Sequence, residues 1–218
     1  MLTTILNWSE VWAPLIPLYV FIFKRPKDKF LEIVAGYLLT ALCINAVIDV
    51  SWIFNSSMPA LLKNNNFLYN INSICRIIFF TFLFRNAIKL FKKKYLNFFL
   101  IAYLVFFSFY FVYNKNFNTL NSLLHSTESL SLLIFSIIYF IRLINSDKVF
   151  LAFDPYLLII AGLAIYESVN FFVFLFYQYL LIHNPKFAHY LWNVPNIIFI
   201  IFCLLISKAF YGRFNFKT

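Results

Sequence analysis

Polar and apolar positions alternate along this chain in long blocks. Apolar stretches of roughly 20 residues, the length that crosses a bilayer core of about 30 Å as a helix, are separated by short polar segments. Seven such stretches are predicted, at about 9–23, 30–54, 67–89, 95–113, 119–144, 155–182 and 189–211. No strand-like alternation interrupts them, so the expected fold is all-α: one seven-helix membrane bundle in a single domain spanning 1–218. The first stretch is the shortest. It begins near Glu10, contains Pro14 and Pro17, and ends at Lys24-Arg25. A signal peptide runs from basic to apolar to small residues. Here the order is reversed, which predicts an uncleaved helix.

Composition supports the membrane class. Hydrophobic residues make up 63% of the 218 and charged residues 12%, about half the share of a soluble domain. Mean hydropathy is +0.82. Eight acidic and 18 basic side chains cannot coat a soluble protein of this size. The three glycines leave no room for a Gly-rich phosphate loop. Every extramembrane segment is too short to fold into a domain, so any output is expected to pass to a separate partner.

The net charge of +10 is unevenly placed. Taking alternate loops, one side holds Lys24, Arg25, Lys27, Lys29, Arg85, Lys89, Lys92, Lys93, Lys94, Arg142, Lys148, Lys208, Arg213 and Lys217. The other holds Lys63, Lys115 and Lys186, and only Arg76 lies within a span. Basic residues in short loops stay cytoplasmic. The N-terminus is therefore expected outside and the C-terminus inside, in a bacterial inner membrane. The charge reads as topology and anionic-lipid contact. With no reader motif, no nucleic-acid partner is expected.

Ionisable groups inside spans are costly, so they face the bundle interior and find partners. Asn45 and Asp49 lie four apart on the second span. Asn72, Ser73 and Arg76 share a face of the third. Asn121, His125 and Glu128 do so on the fifth, Glu167 and Asn170 on the sixth, and Asn193 and Asn196 flank Pro195 on the seventh. Given the alternating directions of the helices, Asp49, Arg76, His125, Glu128, Asn193 and Asn196 belong to the outer half, with Glu167 and Asn170 near the middle. The expectation is an outward polar pocket lined by Asp49, Arg76, His125, Glu128, Glu167 and Asn170. Its bland counterpart is interhelical hydrogen bonding around a structural ion pair. Three carboxylates against one arginine favour the pocket, because glue needs no excess acid.

Other chemistry is thin. Cys43, Cys75 and Cys203 are read as packing residues. His125, His183 and His189 share a membrane side but lack a zinc ligand spacing. No lysine precedes Lys208 in the last span, which excludes a retinal Schiff base there. His125 and Glu128 are the nearest approach to an acid–base pair. No enzyme, metal or cofactor is expected.

Two resemblances accompany these patterns. Asn64, Phe67 and Ile77-Ile78-Phe79 align, 120 residues on, with Asn184, Phe187 and Ile197-Ile198-Phe199. The parallel three-plus-one-plus-three arrangement this gives, with Pro195-Asn196, resembles the SWEET sugar transporters, and implies transport. Leu68-Tyr69-Asn70-Ile71-Asn72-Ser73, Asn170-Phe171-Phe172-Val173-Phe174 and Leu191-Trp192-Asn193-Val194-Pro195-Asn196-Ile197-Ile198 look like segments of small seven-helix membrane proteins of Bacteroidota, some of which accompany histidine kinases. That resemblance implies a sensory or accessory role and carries over no catalytic residue. The leading expectation is a receptor-like protein that binds a ligand or partner in the outer pocket. It would signal through Lys92-Lys93-Lys94 and the C-terminal tail. The alternative is a small secondary transporter coupled to protons through Asp49, Glu128 or Glu167.

Overall fold

The computed structural model describes residues 2–54, 65–87, 93–114, 120–145 and 154–212. Among them all regular structure is helical: α1 (Leu2–Asn7), α2 (Ser9–Lys24), α3 (Lys29–Ile53), α4 (Asn66–Ala87), α5 (Lys93–Asn114), α6 (Ser122–Ile144), α7 (Pro155–His183), α8 (Pro185–Leu191) and α9 (Asn193–Tyr211). Among the described residues six stretches are long and apolar enough to cross a membrane: α3, α4, the Lys94–Tyr113 part of α5, α6, α7, and α8 with α9 taken together. At 16 residues, α2 is shorter than the roughly 20 a full crossing needs.

Local sequence sets the helix starts. The Asp28 carboxylate accepts the Phe30 N–H at 2.7 Å, and Asp154, ahead of Pro155, accepts the Tyr156 N–H at 2.9 Å. Asn121 caps α6 through the Leu124 N–H at 3.1 Å. Each satisfies an N-terminal amide that has no partner within the helix. The connection left between the expected stretches 155–182 and 189–211 is corrected to a single residue. α7 runs through His183, and Asn184 caps α8 by accepting the Phe187 N–H at 3.2 Å, with Pro185 opening the helix. Asn-Pro is a helix-start signal as much as a turn signal. The last span is likewise broken at Trp192, because Pro195 cannot donate to the carbonyl four residues earlier.

The helices close a ring. α2 packs between α9 and α3, α3 against α4, α4 against α6, α6 against α7, and α7 against α9. α5 stands outside, packed on α4 and reaching α6 through the Phe99–Phe135 ring contact. It turns one stripe inward, with Leu96, Tyr103, Phe107 and Phe111 buried, while Phe98, Phe109 and Val112 are exposed. At the end bearing the basic residues, the ring interior is filled by Phe30, Leu31, Val34, Phe80, Leu83, Phe84, Ile159, Ile160, Phe202, Ile206 and Phe210, all fully or almost fully buried. α7 and α9 meet closely at Gly162, where a Cβ would stand 2.9 Å from Phe202 Cδ2 and 3.0 Å from Leu205 Cδ1. Small residues permit such approach where lipid tails supply no hydrophobic drive.

Candidate functional site

Arg76 sits at the centre of the ring, 7% exposed. From α4 it makes a two-pronged pairing with Glu128 of α6. Nε donates to Oε1, and Nη2 donates to Oε2 at 2.7 Å. Nη1 donates to the Tyr166 hydroxyl of α7 at 2.9 Å. Ser73, one turn before Arg76, donates to Glu128 Oε2 as well. The planar guanidinium suits this arrangement, since its donors diverge in a fixed fork.

Glu167 is the second carboxylate at the same centre, fully buried. Its Oε1 lies 3.5 Å from Arg76 Nε, an ionic contact without a hydrogen bond. Ser129 and Asn170 border it but complete no hydrogen bond to it. The buried Asn170 and His125 also have polar side-chain atoms unpartnered among the described residues, and His125 stacks on Phe174 with ring centroids 4.7 Å apart. Most hydroxyls of α6 return to their own helix: Ser126, Thr127, Ser131 and Ser136 each donate to a carbonyl one turn back. Ser122 and Ser129 do not.

A separate cavity of about 610 Å³ opens at the same end of the bundle. Glu10, Asp49, Tyr69, Trp52, Tyr177 and Trp192 are among its walls, with Asn65, Ser122, Gln178 and His189. Glu10 lies within electrostatic reach of Asp49 and of Arg76, and within hydrogen-bonding reach of the Tyr69 hydroxyl. Asp49 Oδ2 is shielded from solvent and has no hydrogen-bond partner among the described residues. Between cavity and ion pair stand aromatic rings. Phe174 touches His125 on one side and Trp192 on the other, and Trp192 packs on Tyr69 and Tyr177.

The expected pocket therefore divides in two. Arg76, Glu128, Glu167, His125 and Asn170 form a closed cluster, and Asp49 alone of the six faces the open cavity. Asn45, Asn72 and Asn196 join helices. Asn45 Nδ2 donates to the Glu10 carbonyl at 3.2 Å, and Asn72 Nδ2 to Asn45 Oδ1 at 3.3 Å. Pro14 leaves that Glu10 carbonyl without its helical donor, so Asn45 replaces the bond proline removes. Asn196 Nδ2 donates to the Leu6 carbonyl at the end of α1, at 3.2 Å. Asn193 is half-exposed in the first turn of α9 and enters neither arrangement. Of the cysteines, Cys203 is buried, Cys75 partly so, and Cys43 is exposed. Among the described residues no three His, Cys, Asp or Glu side chains are grouped to hold a metal ion.

The sequence reading missed Glu10, Tyr69, Tyr177 and Gln178 as site residues. The signal was present in helix direction: α2 enters where α3 leaves, so the start of one and the end of the other share a level.

Comparison with protein-family models, with curated proteins and with solved structures finds no match.

Proposed function

We propose that the chain is a seven-span, receptor-like or accessory protein of a bacterial inner membrane, with its N-terminus outside and its C-terminus cytoplasmic. It binds a ligand in the cavity beside Glu10 and Asp49 and signals to a separate cytoplasmic partner. The observation that carries this is the contrast between the two ends of the ring. One end opens into a cavity of about 610 Å³, and the other, where the basic residues gather, is packed with large apolar side chains. That combination suits ligand capture without passage. α2 counts as the seventh span because it fills the place in the ring between α9 and α3. The basic loops supply the orientation.

Glu10 offers the route for the signal. It faces Asp49 in the cavity and feels Arg76 in the core. A ligand that engages Glu10 changes the field at the centre where α4, α6 and α7 are tied together. Helix shifts then carry the change to the basic end. Of the contact surfaces expected there, Lys94 is exposed in α5. Lys92 and the C-terminal residues 213–218 lie outside the described residues.

A second reading, a proton-coupled transporter, is favoured by Glu167, a buried carboxylate whose oxygens have no hydrogen-bond partner among the described residues. The test is two-sided thiol labelling in intact cells, in a background with the three native cysteines replaced. The receptor reading expects Trp52→Cys to react with a membrane-impermeant maleimide from outside and Lys208→Cys only after permeabilisation. The reverse pattern refutes the orientation and, with it, the reading. Solute-driven proton movement in proteoliposomes would instead favour the transporter.

A further inference from the structure

From the chemistry of the cavity walls we infer that its ligand is an organic ammonium ion, a cationic nitrogen carried on an apolar or aromatic body. The inference rests on the receptor reading and specifies what that receptor takes. Two carboxylates, Glu10 and Asp49, share one cavity, and among the described residues no lysine or arginine lines it. Like charges so placed repel, and a bound cation relieves the repulsion. Arg76 lies within electrostatic reach of Glu10 but offers the cavity no donor, because its fork is committed to Glu128 and Tyr166.

The rest of the wall suits an ammonium better than a bare metal ion. Trp52, Tyr69, Tyr177 and Trp192 line it, with Tyr177 and Trp192 ring centroids 5.1 Å apart. Aromatic faces attract cationic nitrogen and pack against its alkyl substituents. A metal ion would demand several oxygen ligands in one shell, and among the described residues no three His, Cys, Asp or Glu side chains are grouped to supply one. Ser122 adds an independent pointer. It is 9% exposed, lines the cavity, and its hydroxyl has no partner among the described residues. Buried polar groups are normally paired, and a ligand donor or acceptor would complete it. The volume, about 610 Å³, is that of a small-molecule site.

The chemistry has two sources, a free amine or the headgroup of a phospholipid in the outer leaflet. Both are tested on the full-length chain in nanodiscs. Phenethylammonium, its neutral isostere 2-phenylethanol and the anion 3-phenylpropanoate are titrated calorimetrically in phosphatidylglycerol nanodiscs. The expected order is ammonium tightest, by about tenfold to hundredfold over the alcohol, as for a charge-assisted hydrogen bond, with the anion weakest. Benzyltrimethylammonium binding shows that a quaternary nitrogen is accepted, and its failure narrows the class to ammonium ions that carry an N–H donor. Displacement of phenethylammonium by glycerophosphoethanolamine in the same phosphatidylglycerol nanodiscs assigns the headgroup as the natural source, and no displacement assigns a free amine. Asp49→Asn and Glu10→Gln should each remove the preference for the ammonium. Equal affinity for ammonium and alcohol, preference for the anion, or no binding at all overturns the inference. External labelling of Trp52→Cys with no ammonium selectivity would sink the ligand class and leave the outward-facing reading intact.

Discussion

Two groups of carboxylates occupy the same end of this bundle and are handled in opposite ways. Glu128 and Glu167 are fully buried around Arg76, and Glu128 receives two guanidinium bonds and the Ser73 hydroxyl. Glu10 and Asp49 have no such cation and face an open cavity. Seen only as charges in spans, all four are alike. What separates them is burial: the centre is closed to solvent, and a layer of ring contacts through Phe174, Trp192 and Tyr69 runs from His125 to the cavity wall. An ionic group beneath that layer must be paired by the protein. One above it can wait for solvent or a ligand.

The largest expected effect comes from removing the shared cation. Arg76→Ala leaves Glu128 and Glu167 facing each other without a counter-charge. It should cost about 3–5 kcal/mol, the usual penalty for breaking a buried pair by deleting one partner. Thermal unfolding in nanodiscs measures it. Arg76→Lys should recover only part of the loss, because an ammonium cannot reproduce the fork. If Arg76→Ala unfolds at the wild-type temperature, the centre is not structural.

Next in size is damage to the packed end that closes the ring below. Gly162→Leu forces a side chain into space held by Phe202 and Leu205. It should lower stability by about 1–3 kcal/mol, as overpacking does. The same unfolding measurement serves, and an unchanged midpoint would mean that α7 and α9 are more loosely joined than their contact at Gly162 requires.

The two central carboxylates should then part company. Glu128→Gln removes the acceptor that holds Arg76 and should cost about 1.5–3 kcal/mol, the range for hydrogen bonds to charged groups. Glu167→Gln removes a charge that has no hydrogen bond to lose, and should be neutral or stabilising. A larger loss from Glu167→Gln than from Glu128→Gln would reverse the roles assigned here. Smallest of all in stability are Glu10→Gln and Asp49→Asn, each expected within about 0.5 kcal/mol of wild type. Their effect should appear in ligand binding instead.

Much of the fold was legible in hydropathy. Each described helix of the main bundle overlaps an expected apolar stretch, with ends displaced by a few residues. Boundaries drifted where capping chemistry decides them, as at Asn184-Pro185, where a polar pair that looks like a loop opens a helix. The short helix α1 was missed because its six residues are too few for a periodic pattern. At the centre, the spacing of Ser73 and Arg76, and of His125 and Glu128, placed them on common faces. The pairing partner of Arg76 was not legible, since three carboxylates were eligible and only the packing of α4 on α6 selects Glu128. Nor could periodicity separate a closed cluster from an open one. Tyr69, Phe174 and Trp192 decide that, and in a chain with 31 Phe and 14 Tyr no single ring announces a role.

The division between closed and open is most directly measured on α7, which passes through both. Gln178 lines the cavity, and Asn170, about two turns further into the bundle, is fully buried. With the native cysteines replaced, Gln178→Cys should react readily with a small membrane-impermeant methanethiosulfonate applied from outside. Asn170→Cys should stay unmodified until the protein is denatured. Modification of Asn170→Cys in the folded protein at a rate matching Gln178→Cys would contradict the division, and make the whole polar level one open pocket.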